Sequence, residues 1–408
     1  MLKNLASEVS VLEIADRVRK KMNSVNFELS DDTVLSLCKD EVLAHPMLLS
    51  AGFDKCLKII HLVYCTLRCE LDILQDYADD KEVSEIMVNG PKDIFIEKNG
   101  RVIKADISFE TAAQLEHVIQ RIAAAVGREI NDLNPIVDAR LSDGSRINAI
   151  HSNIALNGPI LTIRRFTKSR MSMDDLIAQG SISKDAADFV QRIVNSAYNI
   201  FVSGGTSSGK TTFLNILSDY IPKNERLIVI EDSAELQIRS HVNLVRMETK
   251  QANAQGKGAV SIRDLIKASL RMRPDRVIVG EVRGIEAVDM IAAMSTGHDG
   301  SLSTGHANSA KGMIKRLESM FLSESDFPLP AVQSQIAEGI EFIIHLERDA
   351  DGKRRVVEIS EFEGYENGEP IMNEIYIYEP ETGLKRTGKM LRRAGKLRKV
   401  YPEFAGKY

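Results

Sequence analysis

The sequence predicts an α/β protein: a parallel sheet covered by helices, preceded by a smaller α+β domain and a helical N-terminal region. Three observations carry this. From residue 185 to about 361, helical stretches alternate with short, continuously apolar runs such as Leu227-Ile228-Val229-Ile230, the pattern of strands buried on both faces of a parallel sheet. Between about 82 and 166, strand-like runs are set off by the turn signals Asn89-Gly90-Pro91 and Asn99-Gly100. Residues 1–75 keep apolar stripes at helical spacing, including Val11, Leu12, Ile14, Ala15 and Val18.

In chain order, the helical region 1–75 ends at the acidic Asp76-Tyr77-Ala78-Asp79-Asp80-Lys81. The α+β domain, 76–166, then offers strands at Ile86–Val88, Ile94–Ile96, Arg146–Ile150 and Ile160–Ile163, with a helix near 110–127. A polar, methionine-containing stretch opens a connector, 167–184. The α/β domain follows at 185–361, and a C-terminal extension, 362–408, carries Lys385, Arg386, Lys389, Arg392, Arg393, Lys396, Arg398 and Lys399. That basic run reads either as a solvated, partly disordered end or as a dock for an acidic membrane partner or anionic lipid.

At 408 residues, with 43% hydrophobic and 27% charged residues, the chain has the composition of a globular protein with two or three domains. Its net charge of −5 gives no global reason to expect nucleic-acid binding. No stretch approaches the ~18 apolar residues of a membrane span, and the amphipathic, charged N-terminus is unlike a signal peptide, so a cytoplasmic protein is expected. Cys38, Cys56, Cys65 and Cys69 all fall early in the chain, and without a C-x-x-C pair or histidine spacing they read as buried structural thiols.

The most specific signal is Gly204-Gly205-Thr206-Ser207-Ser208-Gly209-Lys210-Thr211, which fits G-x-x-x-x-G-K-[ST]. Apolar Ile200-Phe201-Val202 precedes it as a strand, and Phe213, Leu214, Ile216 and Leu217 follow at helical spacing. Glycines let the backbone wrap a phosphate chain closely enough to aim several N–H groups at it, beside the positive end of the next helix. Lys210 would reach the β/γ-phosphates and the Thr211 hydroxyl would hold Mg²⁺. ATP and Mg²⁺ are therefore the expected ligands.

Further candidates lie where apolar strands end. Glu231, Asp232 and Glu235 follow one strand, Glu281 another, and His306 a third, with His298 in the preceding glycine-rich turn. A carboxylate facing the γ-phosphate can orient or deprotonate water and hold Mg²⁺ through water; Glu281 is the first candidate and Glu231 the second. Gly280 stands where many NTPases carry a magnesium-binding aspartate. His298 and His306 could both sense the γ-phosphate or bridge to a neighbouring subunit.

Four blocks in order, GGTSSGKTT, IEDSAEL, RMRPDRVIVGEVRG and STGHDGSLSTGHANS, resemble the nucleotide boxes of the secretion ATPase superfamily of type II secretion, type IV pili and type IV secretion. The segments EVSEIMVNGP, DARLSDGSRINA and GPILTIRRF resemble its tight-adherence (Flp-type) pilus assembly branch, CpaF/TadA. The resemblance covers about residues 76 to 361. It implies a RecA-like ATPase domain, a PAS-like α+β N-terminal domain and a homo-hexameric ring clamping nucleotide between the two. Gly204 to Thr212 would bind nucleotide, with Glu231 and Glu235 in the aspartate box, Glu281 in the atypical Walker B box and His306 in the histidine box. Glu235 would assist the metal. Arg140, Arg146, Arg164 and Arg165 would supply charge from the N-terminal domain, while Arg283 could instead pair with the aspartate-box acids.

The reading is thus a motor for pilus assembly on the cytoplasmic face of the inner membrane, working on a platform protein. Membrane association would run through partners or the basic tail. A conjugation-type secretion ATPase, a nucleotide-dependent scaffold with negligible turnover and a DNA translocase are the rivals.

Overall fold

The structure, a computed structural model, describes residues 10–404 except 25–28, 51, 142, 166–170, 239, 251, 253–256, 324–326 and 350. The expected helical start at 1–9, the opening of the connector at 167–170 and the end of the tail at 405–408 lie outside the described residues. The chain divides into two compact units, residues 1–168 and 169–408.

In the first unit, helices Val11–Asn23, Asp31–Leu43 and Phe53–Arg68 bury their apolar stripes around Ile14, Val18, Val34, Cys38, Ile60 and Val63. Ser10 and Ser30 start the first two helices, their hydroxyls accepting from the amides of Glu13 and Thr33. Six strands follow: β1 (Val83–Asn89), β2 (Ile94–Lys98), β3 (Arg101–Lys104), β4 (Ile136–Arg140), β5 (Arg146–Ile150) and β6 (Ile160–Arg164). They form an antiparallel sheet in the order β3-β2-β1-β6-β5-β4. Asn99 and Gly100 turn the β2–β3 hairpin with φ of 52° and 76°, the two positive angles that such a tight turn requires. Alternate residues Ile86, Val88, Ile94 and Ile96 pack on helix Ala112–Ala125 through Leu115, Val118, Ile119 and Ile122. Burial of side chains this size stabilises the unit by roughly 1.5–3 kcal/mol each.

The second unit holds β7 (Ile200–Gly204), β8 (Leu227–Glu231), β9 (Leu244–Glu248), β10 (Arg276–Val282), β11 (Leu302–His306), β12 (Phe342–Arg348), β13 (Arg354–Glu366), β14 (Glu369–Glu379) and β15 (Gly383–Arg386). The sheet order is β15-β14-β13-β12-β7-β11-β10-β8-β9. From β12 to β9 all pairings are parallel, and β13 to β15 extend the sheet as an antiparallel meander. β7 and β8 are buried along their whole length, as their uninterrupted apolar runs require. Ile200 and Val202 face one core with Phe189, Phe213 and Leu217, while Phe201 faces the other with Ile228, Met290, Ile314 and Phe321.

Two stretches are more ordered than their composition suggests. Helix Met173–Ala178 occupies part of the expected connector, starts on a Ser172–Asp175 capping box and buries Met173 and Leu176. In the tail, Leu391, Ala394 and Leu397 join the core of the second unit. Three of its cations have partners within the unit: Lys389 bonds Glu374 at 2.9 Å, Arg393 donates to the Ala337 carbonyl at 3.0 Å, and Lys396 reaches Glu341 at 2.7 Å and Asp299 at 2.9 Å. The fully buried Glu361 carboxylate accepts the amides of Arg392 and Arg393. Residues 389–404 are therefore folded onto the unit, in place of a solvated end. Among the described residues, no helix is long and apolar enough to cross a membrane.

Candidate active site

Parallel strands deliver their loops to one edge of the sheet, and the second unit does so at the carboxyl ends of β7, β8, β10 and β11. Gly204 closes β7 against β12, where a Cβ would stand 2.4 Å from the Leu346 carbonyl oxygen and 2.5 Å from Ser208 Oγ. Ser207 at φ 57° and Gly209 at φ 97° then curl the chain into left-handed turns, a conformation that gathers successive N–H groups into a concavity for an anion. Helix Lys210–Ser218 starts on Gly209 without a side-chain cap, so its first-turn N–H groups lack the partner a capping residue would give. Ser208 Oγ is buried and has no hydrogen-bond partner among the described residues. These donors suit a phosphate chain.

Lys210 is buried, and its Nζ donates to the carbonyls of Gly204 (3.1 Å) and Gly205 (2.8 Å) and to His306 Nδ1 (3.4 Å). Burial lowers its pKa. His306 is placed by register, directly opposite Gly204 on the adjacent β11. Its Nε2 lies 2.7 Å from Glu281 Oε1, at ion-pair range but off the line of a hydrogen bond. The other oxygen, Oε2, accepts from Arg283 Nε at 3.0 Å and Nη2 at 2.7 Å. Burial lowers the His306 pKa, Glu281 opposes that shift, and Lys210, Arg283 and Arg316 add to it. The lowered pKa favours the neutral imidazole, whose Nδ1 faces the Lys210 ammonium and whose Nε2 faces Glu281. The result is a row of ammonium, imidazole, carboxylate and guanidinium running out from the phosphate loop.

Glu231 sits differently. Its carboxylate is buried, and Oε1 accepts the amides of Glu235 and Leu236, each at 2.8 Å, with Arg246 Nη2 3.9 Å from Oε2. Burial raises its pKa, against those two hydrogen bonds. It ends β8, three strands from β7, or roughly 14 Å across the sheet. Its geometry is that of a pin for the acidic loop. Gly280 makes room for it: a Cβ there would lie 3.1 Å from Glu231 Cγ. Within the loop, Glu235 is half-buried, and Asp232 accepts from Thr249 Oγ1 at 2.8 Å. The Arg283 pKa is raised first by Glu281 and further by Asp232 and Glu235. Arg283 therefore bonds Glu281 itself, and the aspartate-box acids act on it at longer range. Thr211 is half-buried in the first helical turn and Thr212 is exposed, as are Gly205, Thr206 and Ser207. The hard oxygens of Thr211 and Glu281 fit the preferences of Mg²⁺.

The structure separates the two histidines. His298 precedes β11 at its amino end, the opposite edge of the sheet from His306, and its Nδ1 lies 3.3 Å from the Ala293 carbonyl. It is therefore remote from the phosphate loop, against the expectation that both would sense the γ-phosphate. Among the four arginines, all in the first unit, Arg140, Arg146 and Arg164 stand opposite one another on β4, β5 and β6. Cross-strand partners share a sheet face, so these three form a row. Arg165 instead donates to the backbone carbonyls of Asp80 and Val83. One contact escaped the sequence reading: Arg354, at the start of β13, donates from Nε to the Ser207 carbonyl at 3.0 Å. Only the β12–β13 hairpin beside β7 brings it there.

Residues 70–394 match the family described as type II/IV secretion system protein. The conjugal transfer protein TrbB of Rhizobium radiobacter is 35% identical over 293 residues, which cover 71% of this chain and 86% of its own. The type IV secretion system protein PtlH of Bordetella pertussis is 30% identical over 315 residues, covering 71% of this chain and 93% of its own. Among solved structures, the Legionella pneumophila ATPase DotB aligns with a TM-score of 0.50 at 20% identity, over 70% of this chain and 78% of that one, a likeness of fold.

Proposed function

From the premise that this chain belongs to the type II/IV secretion system protein family and is an ATPase, we propose that it is the motor of a conjugation-type type IV secretion machine. The observation that carries the chemistry is the Lys210–His306–Glu281 row beside the phosphate loop. Lys210 leaves its own loop carbonyls to neutralise the β/γ-phosphates. Glu281 orients the attacking water, and neutral His306 holds the carboxylate and the ammonium in fixed relation. Thr211, and Glu281 through water, would hold Mg²⁺, which would supply charge neutralisation, and Glu235 would assist the metal. Arg140, Arg146, Arg164 and Arg165 contribute to hydrolysis from the first unit, in a homo-hexameric ring at the cytoplasmic face of the membrane.

The test of the chemistry is Lys210→Ala beside Glu281→Gln. The first should lose nucleotide binding and turnover together. The second should bind ATP and turn over ~10²-fold more slowly, the scale on which a positioned base acts. Wild-type turnover in the glutamine variant would remove Glu281 from its role, and negligible turnover in the wild type would leave a nucleotide-dependent scaffold. Stimulation by single-stranded DNA would favour a DNA translocase.

TrbB and PtlH favour the secretion reading. The segments EVSEIMVNGP, DARLSDGSRINA and GPILTIRRF favour a second one, a tight-adherence pilus assembly motor of the CpaF/TadA branch. A Lys210→Ala allele in the native cell separates them: loss of DNA or protein transfer supports the first, and loss of surface fibres with transfer intact supports the second.

A further inference from the structure

Helix Phe53–Arg68 carries a polar cluster that the ATPase chemistry leaves unused. His61 and Cys65 are four residues apart, one turn along the same face, and Cys69, four further on, caps the helix. The cysteines were expected to have no histidine spacing beside them, yet His61-x₃-Cys65 is a helical one. Helix Gln75–Asp79 brings Asp76 onto this face: His61 Nε2 is 2.7 Å from Asp76 Oδ1 and 3.5 Å from Cys65 Sγ. One ligand atom from each of His61, Cys65 and Asp76 lies within 4.8 Å of the others.

We propose that His61, Cys65 and Asp76 hold a Zn²⁺ ion. The donor set is one nitrogen, one sulfur and one oxygen, which suits this borderline-soft ion and excludes Mg²⁺ or Ca²⁺ as the preferred occupant. Ligands at about 2.0–2.3 Å in a tetrahedron stand roughly 3.3–3.8 Å apart. The imidazole-to-sulfur separation of 3.5 Å already matches, and half-exposed Asp76 has only to withdraw from its hydrogen bond to admit the ion. On binding, the Cys65 S–H proton goes to solvent as the Zn–S bond forms, and no oxidant or reductant is needed. The ion would clamp the last helix of the N-terminal bundle to the segment that leads into β1.

The experiment uses the full chain, purified with a chelator and a non-thiol reductant and then titrated, without nucleotide, with Zn²⁺ alone and with Co²⁺ as a spectroscopic substitute. One equivalent should bind, Co²⁺ should show the thiolate charge transfer and intense d–d bands of a tetrahedral site, and proton release should accompany uptake. His61→Ala and Asp76→Asn change exposed side chains, so their folding is not at stake, and each should weaken binding by at least about 10²-fold. Cys65→Ser should lose the charge-transfer band, while Cys69→Ser, outside the cluster, should bind as the wild type does. The proposal is overturned if the wild type takes up no Zn²⁺, if Co²⁺ binds without thiolate charge transfer, or if both the His61→Ala and Asp76→Asn variants bind as the wild type does.

Discussion

Replacing Glu231 by alanine or glutamine separates a supporting role from a catalytic one. In the alanine variant the amides of Glu235 and Leu236, each now 2.8 Å from Oε1, lose their acceptor in a place where the side chain is only 4% exposed. A buried donor left unsatisfied costs about 1–3 kcal/mol, so the pair costs roughly 2–6 kcal/mol, less what is recovered by no longer burying a carboxylate. For a unit of this size that is a fall in Tm of roughly 5–15 °C by calorimetry. Glutamine keeps an oxygen acceptor at the same place and should stay close to the wild type. The pH dependence has a defined sign. Burial raises the folded-state pKa of Glu231, so its contribution is full below the ordinary carboxylate pKa and is lost as pH rises through the folded value. The glutamine variant should therefore gain on the wild type as pH rises toward neutrality. If alanine left the Tm within about 2 °C of wild type, the pin would be absent; if glutamine preserved the fold yet slowed turnover ~10²-fold, Glu231 would belong to the chemistry.

Acidification should act through His306: its pKa is lowered, so below the ordinary imidazole value the unfolded chain takes up a proton that the folded site resists, stability falls with pH, and a protonated Nδ1 no longer accepts from Lys210. Turnover should drop on the acid side in the wild type and less steeply in His306→Asn, and identical pH–rate profiles would refute this. Lys396→Ala strips the charged partner from largely buried Glu341 and leaves it the Asn199 amide; with Lys396 28% exposed, solvent screening reduces the cost below that of a fully buried pair, to about 1–2 kcal/mol, read as a lower Tm. An unchanged Tm would return the tail to a purely solvated role. A fragment of residues 171–408 retains the whole phosphate loop and should bind ATP, yet hydrolyse it slowly without the arginines of the first unit. Full-length turnover in that fragment would show that Arg140, Arg146, Arg164 and Arg165 are dispensable.

The phosphate loop was legible because its chemistry is written in eight consecutive residues between a strand and a helix. Glu281 and His306 were legible as residues at strand ends, but their pairing depends on β10 and β11 being neighbours, which only the sheet order supplies. His298 misled because a five-residue strand separates it from His306, and a strand carries its two ends to opposite edges of the sheet. The tail misled for another reason: Leu391, Ala394 and Leu397 are too sparse among the cations to read as a core stripe, and Glu341, Glu361 and Glu374, which neutralise or anchor that segment, come from distant sequence. Arg354 had no local signal at all. Its contact to Ser207 exists because a hairpin returns beside the central strand.

The large sheet ends at both sides in strands that discourage extension. β9 has five residues and exposes Arg246 and Glu248, while β15 has four and carries Lys385 and Arg386. Edges this short, studded with charge that a partner strand would have to desolvate, are poor templates for main-chain pairing. Copies of the second unit therefore cannot readily zip together through this sheet into fibres. Contacts between copies of that unit are left to side chains on its loops and helices, and each copy keeps its own hydrogen-bonded sheet intact.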